Sequence, residues 1–516
     1  MLTPTQVRWL LLGLGLATGM EFFTFDAMNL VLVDLAGTLG VSLDEASWLL
    51  TIYSSTLFLG VPVCIWLAGH VGYKRYLMAT TLLFAVGSLG CMLSPDLKTM
   101  LLWRSVQGFA GAGLVVWWRA AIYFILPRAQ RSASMMRVST MLYLSSATGI
   151  LLGGVLTDHV TWRLIFLPAI AYTAGALWLI ARYFPSVPRS SEPRVIGTDW
   201  PGITLLAVSL ISLQVVLNRG HIDDWFESPL IRALTWVSLC ALSGFLWWQM
   251  SARNRVPLLD LQLLRNRFVM ASVLIGVFTG MILSGSLYVL PEYLRSVASP
   301  RLSATETGEV MCVYALTARA IRPLVTPTIA RFGQRRTIIA AMAALIASMW
   351  ILSVIMTTDT PRFYYALPLV LYALCLAPLL SAVGSGTVAR VELNKLLDGV
   401  SLYMTFRQFG ASLAVALLTQ LIESRETLHS ERLFEHLQES GTLTASWLAR
   451  AGSTAITRAG LSPADSTPTA IALLREVGTA QSATLAYADA FLFMAGVGII
   501  ALCLVPIAPP SPAPTK

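Results

Sequence analysis

The sequence predicts an all-α polytopic membrane protein with about fourteen transmembrane helices, and two observations carry that reading. Of 516 residues, 56 % are hydrophobic and only 12 % charged, with a mean hydropathy of +0.69, whereas ordinary globular domains are about 25 % charged. Apolar stretches of about 20 residues, enough to cross roughly 30 Å of hydrocarbon, begin near positions 9, 47, 76, 100, 134, 163, 198, 231, 268, 305, 336, 363, 399 and 485. The first is too long, and too closely followed by Asp26 and Asp34, to read as a cleaved signal peptide, so it is a retained first span.

Charge placement sets the expected orientation. Lys74 and Arg75, Arg128 and Arg131, Arg253 and Arg255, Arg265 and Arg267, and Arg335 and Arg336 all follow even-numbered spans. Arg189, Arg194, Arg390 and Lys395 extend the same bias, and the opposite loops hold far fewer cations. The positive-inside rule then places both termini in the cytoplasm of a cell with this chain in its inner membrane. The net charge of +9 is mostly this loop bias and calls for no nucleic acid. All six cysteines fall in apolar spans without a CxxC pair, and the five histidines lie at span ends or in loops, so no metal site, haem or other cofactor is expected.

Three hydrophilic breaks divide the chain. Residues 185–200 separate the first six spans, 252–267 form a basic loop, and 423–486 form a polar insert on the external side. The expected units are a first six-helix bundle at 1–184, a linker with two inserted spans at 185–267, and a second six-helix bundle at 268–516. The 423–486 insert is expected to hold a short extramembrane helix plus mobile chain. The halves echo one another: Gly72 precedes Lys74 and Arg75 after the second span, and Gly333 precedes Arg335 and Arg336 after the tenth. Such repeats are common in transporters.

The run 102–113 places Arg104, Gln107, Gly108 and Gly111 in an apolar setting. An arginine at mid-bilayer costs about 2.5–3.5 kcal/mol on insertion scales, so it normally faces a polar cavity or a partner. Together with Gly153-Gly154 through Asp158 to Trp162-Arg163, Phe25-Asp26, Arg219-Gly220, Asp224-Trp225-Phe226, Phe406-Arg407-Gln408 with Gly410, and Ala486-Tyr487 with Asp489, this run resembles the major facilitator superfamily. The similarity is to its 14-span drug:proton antiporter branch (EmrB/QacA-like) and runs through nearly the whole length. It implies the major facilitator fold, with two six-helix bundles plus two inserted helices. Two motif positions depart from the family pattern. Gly69 and His70 stand where an acid and an arginine are usual, leaving a charge lock between bundles incomplete. Ile150 stands where a proline usually follows the glycine at 149, so the proline kink is lost, while Gly149, Gly153 and Gly154 still allow close helix packing.

Proton coupling needs a carboxylate that titrates as its surroundings alternate between wet and dry, with a fixed cation to tune it. Asp26, deep in the first span and at the position where the resemblance implies an acid, is the leading candidate. Capping or bonding a neighbouring helix is its other open role. Glu21, on another face of the same helix, and Glu292, beside Pro291 near the end of the ninth span, are further candidates. Arg104 is the expected cation, as a coupling residue or as a static structural partner. Gly72, Lys74, Arg75, Gly108, Gly111, Gly149, Gly153 and Gly154 are expected to serve gating and packing. Arg119, Arg319 and Arg322 add intramembrane charges where the family usually has apolar or small residues. With Trp117, Trp118, Tyr123 and Tyr314, and with Gln107 and Arg407, they favour an anionic or zwitterionic amphiphile, unless Arg119 and Arg322 merely snorkel to an interface.

The expected activity is proton-driven efflux of amphipathic compounds, drugs and acidic amphiphiles among them. Two other readings stand beside it: export of one endogenous metabolite such as a siderophore or acidic lipid, and a receptor or scaffold that has lost transport. No nucleophile–base constellation supports an enzyme. The resemblance also implies a periplasmic adaptor and an outer-membrane channel as partners, with the external insert as the docking element.

Overall fold

The computed structural model describes residues 3–185, 199–220, 224–254, 257–388, 396–439, 441–459 and 463–507. Most of the expected linker, and the cations Arg189, Arg194, Arg255, Arg390 and Lys395, lie outside the described residues. The helices in chain order are α1 (Pro4–Leu39), α2 (Leu43–Val71), α3 (Tyr73–Leu93), α4 (Leu97–Ile125), α5 (Arg128–His159), α6 (Leu167–Tyr183), α7 (Trp200–Arg219), α8 (Pro229–Met250), α9 (Arg267–Ser296), α10 (Ala304–Phe332), α11 (Gln334–Ile355), α12 (Ala366–Val388), α13 (Leu396–Glu439), α14 (Gly441–Ala459) and α15 (Pro463–Leu504). Among the described residues, ten helices are long and apolar enough to cross a membrane by length and composition. The charges that interrupt α4 and α10 include Arg104 and Arg119, and Arg319 and Arg322. The chain is thus an all-α, multi-pass membrane protein. Its apolar outer surface fits that environment: Trp236 and Trp247 on α8 are 68 % and 64 % exposed, on a helix with few buried residues.

Local sequence sets several helix ends. Reciprocal capping boxes start α1 (Thr3 with Gln6), α2 (Ser42 with Glu45) and α10 (Ser303 with Glu306). The repeated glycine turn holds in three dimensions. Gly72 (φ 95°) and Gly333 (φ 80°) each end one helix and start the next with almost no loop, in a conformation that side chains avoid. Lys74 donates to the Ala181 carbonyl (2.6 Å) in the last turn of α6, where a cation also complements the helix dipole. This contact tightens the first bundle and does not reach the second. Arg75 is exposed. His70 bonds its own helix at Trp66, so the altered motif is occupied by a local contact.

Helix α1 is the axis of the first bundle. It packs on α5 and α6, while α4 packs on α2 and α3. In the second bundle α13 packs on α9 and α15, and α11 on α12 and α15. The bundles meet through α5 with α10, α2 with α13, and α1 with α9. Helices α7 and α8 pair with each other and attach through α7 to α2 and α13. Phe58, Leu206, Leu210, Phe245, Val273 and Leu402 belong to a separate apolar cluster at that seam.

The α7–α8 pair is fastened at one end by a single carboxylate. Asp199 caps α7 through Gly202 N (2.9 Å). It also accepts from Trp248 Nε1 (2.6 Å), Gln249 Nε2 (2.5 Å), Asn254 Nδ2 (3.0 Å) and Leu258 N (3.1 Å). Burial alone pushes its acidity the other way, but the bonds from Gln249, Trp248, Asn254 and Gly202 prevail and hold Asp199 below the ordinary aspartate value. A carboxyl depressed in the fold contributes stability above its unfolded value and loses it as pH falls through the folded one.

The polar insert is more ordered than its composition predicts. Among the described residues it forms continuous helix: α13 and α15 run about 66 and 63 Å at 1.5 Å per residue, well past a bilayer, with α14 between them. His429 Nε2 lies 2.9 Å from Asp489 at the start of the last span, and Gly478 packs on Phe434 within the insert, so α13 and α15 contact each other beyond the apolar zone as well. The expected mobile chain is absent from the described part because these helices cover one another.

Asp199→Ala should lower the melting temperature of the detergent-solubilised protein, with a loss of about 2 kcal/mol or more for several charge-assisted bonds. The wild-type advantage over Asp199→Ala should be full at neutral pH and shrink once pH falls below about 4, read by melting curves across pH. A melting temperature unchanged at neutral pH would remove the clamp from the account.

Candidate functional site

The intramembrane charges sort into several places, and the two faces of α1 separate the first pair. Glu21 faces α2 and α4. Tyr53 donates its hydroxyl to Glu21 (3.0 Å), and the Arg104 guanidinium lies over the Tyr53 ring at 4.4 Å. Arg104 is fully buried. Its Nε donates to the Leu49 carbonyl (3.4 Å) and one terminal nitrogen to Gln107 Oε1 (2.6 Å), while the other has no hydrogen-bond partner. Gln107 in turn donates to Ser88 (2.7 Å). Small residues make this possible. At Gly111 a Cβ would come within 3.0 Å of the Tyr53 hydroxyl, and at Gly108 it would run into the Tyr53 backbone. Arg104 therefore answers to Glu21 through Tyr53, and no contact joins it to Asp26, the partner the sequence offered. Gln107, expected in the substrate cavity, is bound within the first bundle, because it serves Arg104 and Ser88.

Asp26 faces the other way, toward α5 and α10. Ser146 of α5 donates a short hydrogen bond to it, and the Tyr314 hydroxyl of α10 lies 3.2 Å from the same Ser146 oxygen. Tyr314 meets Tyr372 of α12 edge-on, and Tyr372 donates to the Leu283 carbonyl (3.1 Å) of α9. Asp26 is thus the first member of a polar chain that crosses from the first bundle into the second. The α5 glycines allow the approach. Gly149 and Gly153 press on Phe23 and Ala27 of α1, and Gly154 on Ala304 and Thr305 of α10; Gly308 returns the contact against the Ile150 carbonyl. The proline missing at 150 leaves α5 an unbroken helix.

Two further inter-bundle contacts lie at the end opposite the termini. Arg295 of α9 forms a bidentate ion pair with Asp34 of α1 and donates to the Leu30 carbonyl (3.0 Å). Asp158 at the end of α5 accepts the first free amides of α10, Ala304 N (3.1 Å) and Thr305 N (2.7 Å). Sequence reasoning singled out neither Asp34 nor Arg295 as an ion-pair partner. Both lie near span ends, where no local pattern distinguishes a partner from a solvated charge.

The remaining cations gather toward the termini end. Arg119 lies 4.2 Å over the Trp118 ring and donates to the Val115 carbonyl (3.1 Å). Its electrostatic neighbours are Arg407, Tyr403, Tyr143 and Arg322, and Arg322 reaches Ser139 of α5 (3.4 Å). Arg407 is brought close because α9 and α13 nearly touch at Gly280 and Gly410. Trp118 is buried beneath Arg119, whereas Trp117 packs away from it against Tyr73 and Tyr76. The Tyr123 side chain lies outside the described residues. Arg319 separates from the other two span arginines and, with Arg8, Arg137 and Thr140, lines a cavity of about 720 Å³ between α1, α5 and α10. Glu292 stands apart, facing Tyr288 and Tyr487, with Asp44 and Glu423 as its nearest charges.

Paired bundles around buried charges are the architecture of a membrane transport protein. Residues 14–415 match the Major Facilitator Superfamily, and the chain belongs to that superfamily. It is 25 % identical to the multidrug export protein EmrB of Escherichia coli (strain K12) over 442 residues, 84 % of each chain. It is equally similar, at 25 % over 467 residues, to the fatty acid resistance protein FarB of Neisseria gonorrhoeae, covering 87 % of this chain and 88 % of that one. Among solved structures it resembles a bacterial homologue of the human lysosomal transporter Spinster, in an inward-facing, unoccupied conformation. The TM-score is 0.58 at 14 % identity, covering 99 % and 100 % of the two chains.

Arg104→Ala should leave protein level and melting temperature close to wild type, because Gln107 and Tyr53 retain Ser88 and Glu21 as partners. Proton-driven export should nonetheless fall about tenfold or more. Normal levels with undiminished export would rule out a coupling role for Arg104.

Proposed function

We propose that this chain is a proton-driven exporter of amphipathic compounds in the inner membrane, with both termini in the cytoplasm and the cavity open to that side. The observation that carries the reading is the Asp26–Ser146–Tyr314 chain. An ionised Asp26 holds the Ser146 hydroxyl as its donor, a charge-assisted bond about twice as strong as a neutral one, and leaves the Ser146 oxygen to accept from Tyr314 of the second bundle. Protonating Asp26 weakens the contact, so proton occupancy and bundle arrangement become linked. The contacts of Asp34 and Asp158 at the end opposite the termini, with the crevice that parts the two bundles near the termini, fit a state closed outside and open inside. Relatives named for multidrug export and fatty acid resistance support efflux. The helical extension of α13, α14 and α15 outside the membrane offers a surface for a periplasmic adaptor, and through it an outer-membrane channel.

The substrate body would rest among the aromatics and its head against Arg119, Arg322 and Arg407, with Tyr143 and Tyr403 beside them. In this reading Asp26 carries the proton, Glu21 is the neighbouring charge on α1, and Arg104 acts on Glu21 through Tyr53.

In everted vesicles, Asp26→Asn should abolish the part of substrate uptake that depends on the pH gradient while leaving binding intact. Gradient-driven uptake equal to wild type in that variant would end the assignment. In a paired panel with equal tails, dodecanoate should be exported in preference to dodecyltrimethylammonium. Export confined to the quaternary amine would count against the arginine cluster as the head-group site.

A further inference from the structure

The cavity near the termini has features that the transport path does not require. Arg8 and Arg137 come from the first bundle and Arg319 from the second, while Leu11, Met136, Met141, Ala320 and Pro323 supply apolar wall. No acidic residue lines it. Its 720 Å³ falls within the roughly 300–1,000 Å³ of small-molecule sites. The three arginines are exposed, and they stand at successive levels. Arg8 is in the second turn of α1, Arg137 in the third turn of α5, and Arg319 midway along α10. Along the same side of α10, Leu316 and Leu324 are 45 % and 62 % exposed, as lipid-facing residues are.

We propose that this crevice is a binding site for an anionic phospholipid of the bilayer. The phosphate would sit between Arg8 and Arg137, Arg319 would snorkel toward it from the second bundle, and an acyl chain would lie along Leu11, Met141 and Pro323. Basic pockets between helices on the cytoplasmic side favour such head groups, and a guanidinium fork matches phosphate geometry. Because the lipid touches both bundles only while the crevice is open, it holds the termini end open. Lipid composition then biases the conformational equilibrium by the lipid's differential affinity for the two arrangements. The site is separate from Arg119, Arg322 and Arg407, and the inference does not depend on proton coupling.

The test uses the purified full-length protein in neutral detergent, melted with added phosphatidylglycerol, phosphatidylcholine, glycerol 3-phosphate or dodecanoate. Phosphatidylglycerol should raise the melting temperature of wild type more than phosphatidylcholine does, and glycerol 3-phosphate should have no effect. Titrated against fluorescent phosphatidylglycerol, Arg137→Gln and Arg319→Gln should each weaken binding about tenfold, while Arg319→Lys keeps part of it. Equal stabilisation by phosphatidylcholine would overturn the proposal, as would unaltered lipid binding in both glutamine variants. Stabilisation by dodecanoate through these arginines, without an effect of phosphatidylglycerol, would assign the crevice to the substrate path instead. Since no pH gradient is present, none of these outcomes depends on whether Asp26 couples transport to protons.

Discussion

Carboxylates of the first bundle hold the second bundle in place. Asp26 reaches Tyr314 through Ser146, Asp34 takes Arg295, and Asp158 takes the amides that open α10. In each case the acceptor belongs to α1 or α5 and the partner lies on α9 or α10. The arrangement needs close backbones, which is why Gly154 and Gly308 stand where α5 meets α10. Larger side chains there would push the bundles apart, leave Asp34 and Asp158 short of their partners, and part Ser146, the donor to Asp26, from Tyr314.

Magnitudes show how such a seam can be both firm and reversible. Inverting a two-state equilibrium from 1:99 to 99:1 takes about 5.5 kcal/mol, and one charged hydrogen bond contributes about 1.5–3 kcal/mol. A proton on Asp26 therefore biases the seam without opening it alone. Asp34–Arg295 is part-buried, so deleting one partner costs less than the about 3–5 kcal/mol of a fully buried pair, yet its bidentate geometry makes it the firmest single tie across the seam. In the proposed exporter the bias from Asp26 would add to substrate binding before that tie gives way.

The fold was largely legible in the chain. Span lengths, the repeated glycine turns at 72 and 333, and the Arg104 run specify helices and their order, because each is local. The site was legible only in its residue types. Asp26, Glu21 and Arg104 are identifiable as costly charges, but which of them meet depends on the rotation of α1 relative to α2, α4 and α5. That rotation placed Tyr53 between Glu21 and Arg104, and Ser146 and Tyr314 beside Asp26. A tyrosine or serine in an apolar span carries no sign of its partner. The external insert misled for a different reason. Its Ser, Thr and Ala content resembles mobile chain, yet residues such as Phe434 against Gly478 give α13 and α15 a packed face.

Glu21 and Asp26 are also not equivalent as coupling sites, and the difference is electrostatic. An anionic head group placed near a carboxylate raises its affinity for a proton, so substrate and proton would bind together, which favours movement in the same direction. An antiporter of anions has to keep the two apart. Glu21 has Arg407 and Arg104 among its nearest charges, and Arg407 also belongs to the arginine cluster. A substrate neutralising Arg407 would therefore be felt directly at Glu21. Asp26 is instead engaged by neutral hydroxyls, Ser146 and Tyr314, with no arginine among its principal partners. A proton there reports on the seam between bundles and not on the head group in the cavity. In the proposed exchange of an anion against a proton, the Asp26 side of α1 would carry the proton, while Glu21 would hold Arg104 and Tyr53 in place.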